Sequence, residues 1–386
     1  MSLLLDTPPH SLLLISFPHQ LLHALSALRY YRMREGVPAQ APLIILVWAH
    51  QSSEHAADSS FRKILDYTIR EFTFVSLVFP TLIERRFHLS PFRTLIDRIK
   101  WLRNRFINFS IDAVFFAHDA SADQTAQLLL QSFQNATAVC FGDPPGFLYP
   151  PFHLHYQGDL FKRGFWKSRA RGISSQRIPD LSIVAVDFYD NRRSAGGNVL
   201  VLPRDVILET LATLQSGLEK AKGNLEFRHE SIVKKEGPLD ILLLSNFSES
   251  GLADGDRELE LYGDICENFC APGGRLLIKP HFGTSSGFLK KLRSRLASHE
   301  TEIFPAFEGR VPIELFPNLV RRGNVISVSS SSILLSSIFQ SKVCHALTAE
   351  RIRKYFKADR VAYMLEANRL IEKSLSDSLD LGRRVV

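Results

Sequence analysis

Short apolar runs alternate along the chain with stretches whose apolar residues recur at helical spacing. The first run, Leu12–Ser16, is continuously apolar up to its last residue, as expected for a strand buried in a parallel sheet. Similar runs predict strands at 43–48, 74–79, 113–117, 138–141 and 181–188. Helical spacing predicts helices at 21–28, 61–72 and 122–133. Strands separated by helices in this way predict a doubly wound α/β sheet.

A second α/β series begins after a polar connector that ends at Gly237-Pro238. Prolines and a basic, aromatic segment at 145–180 interrupt the first series, and a charged amphipathic helix is predicted at 205–222. Beyond the connector, the pattern predicts strands at 241–244, 276–278 and 325–328, and helices at 258–269, 287–297 and 348–379. The length of 386 residues suits two domains. We predict an N-terminal domain at 1–203, a connecting helix and linker at 204–237, a C-terminal domain at 238–347, and C-terminal helices at 348–386 that pack back towards the first domain.

Polar side chains follow two predicted strands of the second series. One strand ends on Lys279-Pro280-His281, and another ends on Ser329–Ser332 before an apolar helix. Ligands of parallel α/β domains bind outside the carboxyl ends of the strands. Serine hydroxyls and the free N–H groups of a helix N-terminus suit a phosphate. We therefore predict phosphate contacts from Lys279, His281, Ser330, Ser331 and Ser332.

The same residues also have simpler interpretations. His281 is also an ordinary turn residue, and a serine is a preferred helix cap, although four in a row exceed what capping needs. Asn246 and Ser248 follow the strand at 241–244 and can meet a phosphate or a base, but their loop matches neither the Walker nor the dinucleotide motif. Glu314 either binds a ribose diol or occupies a first helical turn, where acids are favoured.

Carboxylates near strand ends of the first series are candidates for a general base. Asp143 stands in Gly142-Asp143-Pro144-Pro145-Gly146, directly after the strand at 138–141. It is equally a turn residue, since Asp, Pro and Gly all favour turns. Asp119 and Asp123 compete for the same role, and Asp119 also suits the cap of the helix that follows. A positioned carboxylate accepts the proton of an attacking hydroxyl.

An excess of positive charge favours anionic partners. The formal net charge is +7 and the pI about 9.2. Basic residues are mixed with aromatic ones at 85–105 and 161–171, which fits a solvated helix face and an exposed loop, or contact with an anionic membrane or polymer. A hydrophobic content of 45% with 28 Phe indicates a packed core. No recognised nucleic-acid motif occurs, so nucleic acid is not expected as a partner.

Metal and membrane signals are weak. Cys266 and Cys270 are one helical turn apart, but no second Cys or His pair completes a zinc site, and all four cysteines fit reduced core positions. Asp254-Gly255-Asp256 has the spacing of a cation-binding pair, but its polar surroundings favour a turn. No run approaches the roughly 20 apolar residues of a membrane-spanning helix. Because the N-terminus lacks the basic region of a signal peptide, we expect a cytoplasmic protein.

Three motifs, in this order, resemble those of the bacterial sialyltransferases and polysialyltransferases that build capsule and lipooligosaccharide glycans. That family has an acidic motif ending in Gly, a His-Pro motif after a strand, and a Ser-Ser/Thr motif that opens a helix. The corresponding residues are Gly142–Gly146, Lys279–Phe282 and Ser329–Ser332. The opening Ser16-Phe17-Pro18-His19-Gln20-Leu21-Leu22 is similar to the family's first strand and turn. The order of the motifs and the two-domain layout match over most of the chain.

The resemblance implies an α/β protein of the GT-B fold, with two doubly wound Rossmann-like domains facing across a cleft. It implies inverting transfer of sialic acid or a related 2-keto sugar acid from a CMP donor to a bacterial surface glycan, with no cofactor and no bound metal. Asp143 is then the base, and His281 stabilises the leaving phosphate. The implied donor site comprises Lys279, His281, Ser330, Ser331, Ser332, Asn246, Ser248 and Glu314, and the implied acceptor side comprises Pro18, His19, Gln20 and Asp119.

Two departures from the family pattern leave other functions open. Phe282, rather than Pro, follows His281, and the acidic motif has one carboxylate and two prolines where the family usually has two adjacent acids. Because contacts to a phosphate do not distinguish one donor sugar from another, transfer of Kdo or of a neutral sugar is one alternative. An inactive glycan-binding or assembly protein with the same fold is another. The expected acceptor is an anionic glycan or glycolipid, and contact with the inner face of the membrane would give access to it.

Overall fold

The structure is a computed structural model of the 386-residue chain. It describes residues 10–15, 18–47, 65–66, 69, 75–78, 104, 106, 109–117, 124–142, 177, 179–185, 198–220, 237–281, 283–304, 311–329, 331–339 and 343–383. The chain divides into two compact units. The first comprises Met1–Ser52 and Thr68–Gly217, and the second comprises Ser53–Tyr67 and Leu218–Val386.

A parallel sheet of seven strands organises the first unit. Its strands are β1 (His10–Ile15), β2 (Leu43–Val47), β3 (Val75–Val78), β4 (Ile111–Ala117), β5 (Thr137–Phe141), β6 (Leu181–Val184) and β7 (Asn198–Val201). Their order is β3-β2-β1-β4-β5-β6-β7, so the chain winds outwards from β1 in both directions. The helices described with this sheet are α1 (Leu21–Glu35), α2 (Gln124–Ser132) and α3 (Arg204–Lys220). The predicted doubly wound sheet is confirmed.

The central strands of this sheet are buried, which explains why they appear as continuous apolar runs. β1 is buried from Ser11 to Ile15, and β2 is buried along its whole length. A strand between two layers of helices contacts apolar groups on both faces, so alternation with polar residues is lost. The helix α1 then ends at Gly36, whose φ of 67° lies in the left-handed region that favours glycine.

A second parallel sheet, of five strands, organises the second unit. Its strands are β8 (Leu239–Leu243), β9 (Arg275–Lys279), β10 (Glu300–Ile303), β11 (Asn324–Ser327) and β12 (Val343–His345). The helices are α4 (Gly255–Phe269), α5 (Ser286–Arg295), α6 (Pro317–Arg322), α7 (Ser331–Phe339), α8 (Ala349–Tyr355) and α9 (Val361–Arg383). The order β10-β9-β8-β11-β12 reverses direction beside β8. Such a reversal opens a crevice between the two strand ends, here those of β8 and β11.

The edge strands β7, β10 and β12 were missed by the hydrophobic pattern, whereas the edge strand β3 was predicted at 74–79. β10 (Glu300–Ile303) is exposed or half-buried along its length, and β12 has three residues, all half-buried. β7, at the edge of the first sheet, is also half-buried or exposed. Edge strands have one partner and less cover, so they need no continuous apolar run. The strand predicted at 181–188 was too long, since β6 ends at Val184.

The C-terminal segment forms two helices, α8 and α9, rather than one continuous helix. A 3₁₀ turn at Ala358–Arg360 separates them. The helix α9 contacts α7 and α8 within the second unit, where Met364 joins the hydrophobic core. The predicted return of this segment to the first domain stays a prediction. Among the helices that the structure describes, none is long and apolar enough to cross a membrane.

Candidate functional site at the carboxyl edge of the second sheet

The carboxyl ends of four neighbouring strands lie side by side in the second unit. Lys279 of β9 pairs with Leu243 of β8, Leu243 pairs with Ser327 of β11, and Ser327 pairs with His345 of β12. Polar residues predicted from the sequence leave the ends of β8, β9 and β11. Because β8 lies between the other two, the backbones of Lys279 and Ser327 are two strand spacings apart, about 10 Å. A phosphate joined to a ribose or a sugar is large enough to contact both loops.

His281 is placed to donate a hydrogen bond while remaining uncharged. Its Nδ1 accepts from the Gly283 N–H at 3.3 Å, so the hydrogen-bond pattern assigns the proton of the neutral ring to Nε2. Burial, together with the nearby charge of Lys279, lowers the pKa of His281 to about 4. The ring is therefore neutral at pH 7. Gly283 also lets Asn246 approach, since a Cβ there would lie 2.8 Å from Asn246 Nδ2.

Lys279 is a buried cation at the end of β9. Its Nζ donates to the Pro280 carbonyl at 3.4 Å and lies 5.8 Å from the centroid of the Phe304 ring. Burial lowers the pKa of Lys279 to about 8, and the charge of Glu314 opposes that change. Glu314 lies in the 3₁₀ turn Ile313–Leu315, where burial raises its pKa and Lys279 opposes the rise. The two groups are thus electrostatically coupled beside His281, and a ribose contact by Glu314 stays a prediction.

This pKa predicts that the anion binding proposed for Lys279 is sensitive to alkaline pH. Lys279 is charged below about 8 and loses its charge above it. We expect the affinity for sulfate, whose charge is constant across this range, to fall by about tenfold between pH 7 and pH 9.5. Titration calorimetry of the wild type and of Lys279→Met tests this. The variant should bind weakly at both pH values. Equal affinity of the wild type at both would show that Lys279 does not contact the anion.

The serine turn, Ser327–Ser332, connects β11 to α7. Ser331 Oγ lies 2.9 Å from both Ser327 Oγ and Ser329 Oγ, and the Ser329 N–H donates to Ser327 Oγ at 3.3 Å. Ser332 is fully buried, and its hydroxyl donates to the Ser329 carbonyl at 2.5 Å. Ser330 lies outside the described residues. Ser329 and Ser331 are half-buried. Their hydroxyls are therefore nearer the surface than that of Ser332, whose contact with a ligand stays a prediction.

The loop after β8 is held by two side chains that the sequence analysis did not single out. Glu258 of α4 accepts from the Phe247 N–H at 3.2 Å and from the Ser248 N–H at 2.8 Å. One turn later, the Tyr262 hydroxyl accepts from the Ser245 N–H at 2.7 Å. Burial raises the pKa of Glu258, against the hydrogen bonds that it accepts. The backbone that carries Asn246 and Ser248 is thus fixed from behind by α4.

A sequence signal for these two residues did exist. Glu258 and Tyr262 are buried and lie on the same face of α4 as Leu261 and Ile265. A carboxylate on the apolar face of a helix needs hydrogen-bond donors, and the loop before the helix supplies them. The hydrophobic pattern identified Glu258 only as the first residue of a predicted helix.

The residues predicted for the acceptor side belong to the first unit. Pro18, His19 and Gln20 form a 3₁₀ turn after β1, in which Gln20 is buried and His19 is half-buried. Asp119 and Asp143 lie outside the described residues. Asp119 comes two positions after Ala117, the last residue of β4, and Asp143 comes two positions after Phe141, the last residue of β5. Ala117 and Phe141 are paired across the two strands. Their roles stay predictions.

Solved structures share this architecture at low sequence identity. A protein described as a UDP-N-acetylglucosamine 2-epimerase, from Listeria monocytogenes, matches with a TM-score of 0.51 and 10% identity over 96% of this chain and 91% of its own. The GT-B domain of a sialyltransferase from Photobacterium damselae gives a TM-score of 0.46 and 8% identity over 94% and 97%. A UDP-GlcNAc 2-epimerase from Neisseria meningitidis, bound to UDP-GlcNAc, gives 0.49 and 11% over 84% and 79%. No protein-family model and no curated protein sequence matches the chain.

The chain has the GT-B fold. Two doubly wound sheets of parallel strands, as the resemblance implied, are present in one chain. At 10% identity the likeness establishes the fold alone. The function must therefore be inferred from the residues at the strand ends.

The candidate metal ligands of this GT-B chain have other roles in the described structure. Asp254 is the N-cap residue of α4 and Asp256 lies in its first turn, so the turn predicted there is the start of a helix. Asp254 pairs with Lys357 at 3.3 Å, and Asp256 lies 3.8 Å from Lys291. Within the ranges described above, no group of three or more His, Cys, Asp or Glu is placed to hold a metal ion. Cys266, whose spacing from Cys270 suggested a zinc site, lies in the hydrophobic core.

Replacing Glu258 by glutamine tests the support of the β8 loop. The amide keeps one acceptor oxygen, so one of the two buried N–H groups loses its partner, at a cost of about 1–3 kcal/mol. We expect that loss in the free energy of unfolding of the second unit, measured by denaturant titration. Glu260→Gln, on the exposed side of the same helix, is the matched control and should change stability by less than about 0.5 kcal/mol. Equal stabilities of the two variants would contradict this role of Glu258.

Proposed function

We propose that the protein is an inverting, metal-independent glycosyltransferase that transfers sialic acid or a related 2-keto sugar acid from a CMP donor. The observation that carries the proposal is the combination of a buried cation and a neutral ring donor after β9 with a serine turn after β11, two strands separated only by β8. This set of groups can receive negative charge without a metal ion. The order of its motifs adds support through the resemblance to bacterial sialyltransferases.

The leaving group determines what the donor site must do. When the bond between the anomeric carbon and the phosphate oxygen breaks, its electron pair stays with CMP, whose phosphate gains a negative charge. Groups that are already oriented towards that charge lower the barrier most. His281 offers an Nε2–H that needs no reorientation, since the Gly283 N–H fixes its tautomer. Lys279 adds a positive charge below pH 8, as burial lowers its pKa to about 8. Ser331 adds a hydroxyl from the serine turn.

The acceptor half of the reaction requires a base. In the proposal, the acceptor hydroxyl attacks the anomeric carbon from the face opposite the phosphate, and its proton passes to the carboxylate of Asp143. The attack inverts the configuration, and the products are CMP, the extended glycan and protonated Asp143. Pro18, His19 and Gln20 are proposed to contact the acceptor. Asp119 is the competing base.

The positive net charge favours an anionic acceptor. A net charge of +7 attracts polyanionic glycans and anionic lipid headgroups over distances of about 8 Å at physiological salt. We propose a bacterial surface glycan or glycolipid as the acceptor, reached in the cytoplasm or at the inner face of the membrane. The basic segments at 85–105 and 161–171 lie outside the described residues, apart from Asn104.

A thermal-shift panel of CMP, UDP, GDP and ADP at matched concentrations tests the donor class. A ligand that binds only the native state raises the melting temperature. We expect CMP to give the largest rise, and Lys279→Met to abolish it. A rise with UDP or GDP but not with CMP would overturn the cytidylate assignment. Lys290→Met, an exposed lysine of α5 in the same unit, is the control and should keep the CMP response.

A further inference from the structure

A chain of hydrogen bonds connects the serine turn to the C-terminal helix. Ser332 Oγ lies 3.0 Å from His345 Nδ1, and His345 Nε2 lies 2.7 Å from Asn368 Oδ1. Asn368 Nδ2 donates to Glu372 Oε1 at 2.9 Å. Ser332 also donates to the Ser329 carbonyl, at 2.5 Å. Elements α7, β12 and α9 each contribute to what we name the Ser332–Glu372 chain, consisting of Ser332, His345, Asn368 and Glu372.

The four hydrogen bonds of the Ser332–Glu372 chain need one more hydrogen than a neutral His345 and an ionised Glu372 supply. The Ser329 carbonyl can only accept, so Ser332 must use its one hydroxyl hydrogen there. The hydrogen between Ser332 Oγ and His345 Nδ1 must then come from Nδ1. Asn368 Oδ1 can also only accept, so the hydrogen of the next bond must come from His345 Nε2. All four hydrogen bonds form together only when both ring nitrogens of His345 carry a proton.

Exchanging the oxygen and nitrogen of the Asn368 amide does not supply the missing hydrogen. Its oxygen and nitrogen are assigned from the hydrogen-bond network, so the reversed amide must also be considered. Asn368 would then donate to Nε2 of a neutral His345, but its oxygen would need a hydrogen from a protonated Glu372. Both arrangements hold one proton more than a neutral His345 with an ionised Glu372. Without that proton, one of the four bonds is lost.

One of these four bonds, from the Ser332 hydroxyl to the Ser329 carbonyl, lies within the serine turn. When His345 is neutral and keeps its bond to Asn368, its Nδ1 becomes an acceptor. Ser332 can then donate to Nδ1 or to the Ser329 carbonyl, but not to both. The hydroxyls of Ser329 and Ser331 are hydrogen-bonded to each other. A change in the position of the Ser329 carbonyl therefore also shifts the hydroxyls proposed to contact the phosphate.

The charged surroundings of His345 decide when it takes up the proton. Burial lowers the pKa of His345, while the Asn368 hydrogen bond and the charge of Glu372 oppose the fall. On α7 and β11, the neighbouring groups are the serine hydroxyls. On α8, Arg351 donates to the Ala346 carbonyl and pairs with Asp264. The ring is thus largely neutral at pH 7, and an anion bound at the serine turn would favour its protonation by simple attraction.

We propose that His345 is a positioning residue for the serine turn, and that anion binding there is coupled to uptake of a proton by the Ser332–Glu372 chain. The ligand phosphate and the proton each favour the same arrangement, in which Ser332 holds the Ser329 carbonyl. By reciprocity, the proton strengthens anion binding as much as the anion strengthens proton binding. The inference rests on the proposed function only for the identity of the anion, the phosphate of CMP.

Titration calorimetry in buffers of different ionisation enthalpy measures the proton uptake directly. Inorganic phosphate and CMP are titrated at pH 7 into the wild type, His345→Gln and the control His299→Gln. His299 lies in the same unit but does not belong to the Ser332–Glu372 chain. Both ligands also exchange protons themselves on binding, since their second phosphate ionisation lies near this pH, but this contribution is common to all three proteins. We expect the wild type and His299→Gln to take up a measurable fraction of a proton more than His345→Gln. At pH 6, His345→Gln should also bind about fivefold more weakly than the wild type, the size expected for one hydrogen bond.

Glu372→Gln provides a second test in case His345→Gln does not fold. Glu372 is exposed, so this change leaves the packing intact while removing the charge that favours protonation of His345. It should reduce the uptake without unfolding the protein. Uptake that is equal in the wild type, His345→Gln and Glu372→Gln would overturn the inference while leaving the proposed function standing. Uptake with phosphate but no binding of CMP would support the inference and overturn the CMP donor. Binding of neither probe would overturn both.

Discussion

Replacing His281 by alanine is expected to reduce sugar transfer by about 100-fold or more, within the range of about 10²–10³ for loss of one oriented donor to developing charge. The reason is geometric. The Gly283 N–H occupies Nδ1, so in the proposed reaction the neutral ring donates its Nε2–H to the leaving phosphate without reorganisation. Alanine leaves that charge to water, which must reorient as the bond breaks. Initial-rate measurements of kcat and KM should place the loss mainly in kcat, since the charge develops in the transition state.

Two further variants make this result specific. His299→Ala, which removes a histidine elsewhere in the same unit, should leave the rate near that of the wild type. His281→Gln keeps a neutral N–H donor of similar length, so its rate should lie between those of the wild type and His281→Ala. Circular dichroism establishes that each variant is folded. A folded His281→Ala protein with nearly normal turnover would exclude His281 from the reaction.

Replacing Asp143 by asparagine is expected to abolish transfer while leaving CMP binding intact. An amide cannot take the proton of the acceptor hydroxyl, and loss of a general base typically costs about 10²–10⁴-fold. Donor binding should persist because Asp143 belongs to the first unit, whereas the residues proposed to bind the donor belong to the second. Rates are measured with a saturating acceptor, and CMP affinity is measured by calorimetry on the same preparations.

Asp119→Asn is the matched comparison for the base. Asp119 and Asp143 each follow, by two residues, the paired ends of β4 and β5, so the sequence and the strand register favour neither over the other. If Asp119→Asn abolishes transfer and Asp143→Asn does not, the acidic motif has been assigned to the wrong strand end. If neither substitution changes the rate, the base lies elsewhere, or the chain is not a transferase.

The parts of the fold that the sequence predicted are those with continuous burial. Strands such as β1 and β8 are covered on both faces, so their apolar runs are unbroken. The edge strands β10 and β12 are shorter and half-exposed, and their sequences resemble those of loops. A pattern based on burial therefore finds the central strands of each sheet and misses edge strands such as these two.

The candidate site divides in the same way. Lys279, His281 and the serines were predictable because a polar turn directly after a buried strand marks the carboxyl edge of a sheet. His345 was not, because its role depends on partners that the fold brings close to it. It lies 23 residues from Asn368 along the chain, but its Nε2 is 2.7 Å from Asn368 Oδ1 in the structure. No local pattern encodes that contact.

Release of CMP from CMP-sialic acid, measured in the presence of EDTA with and without an anionic glycan acceptor, tests the proposed reaction most directly. We expect release that depends on the acceptor, survives EDTA, and falls by about 100-fold in His281→Ala. Consumption of a UDP-sugar with CMP-sialic acid left untouched, or CMP release that EDTA abolishes and Mg²⁺ restores, would contradict the proposed reaction.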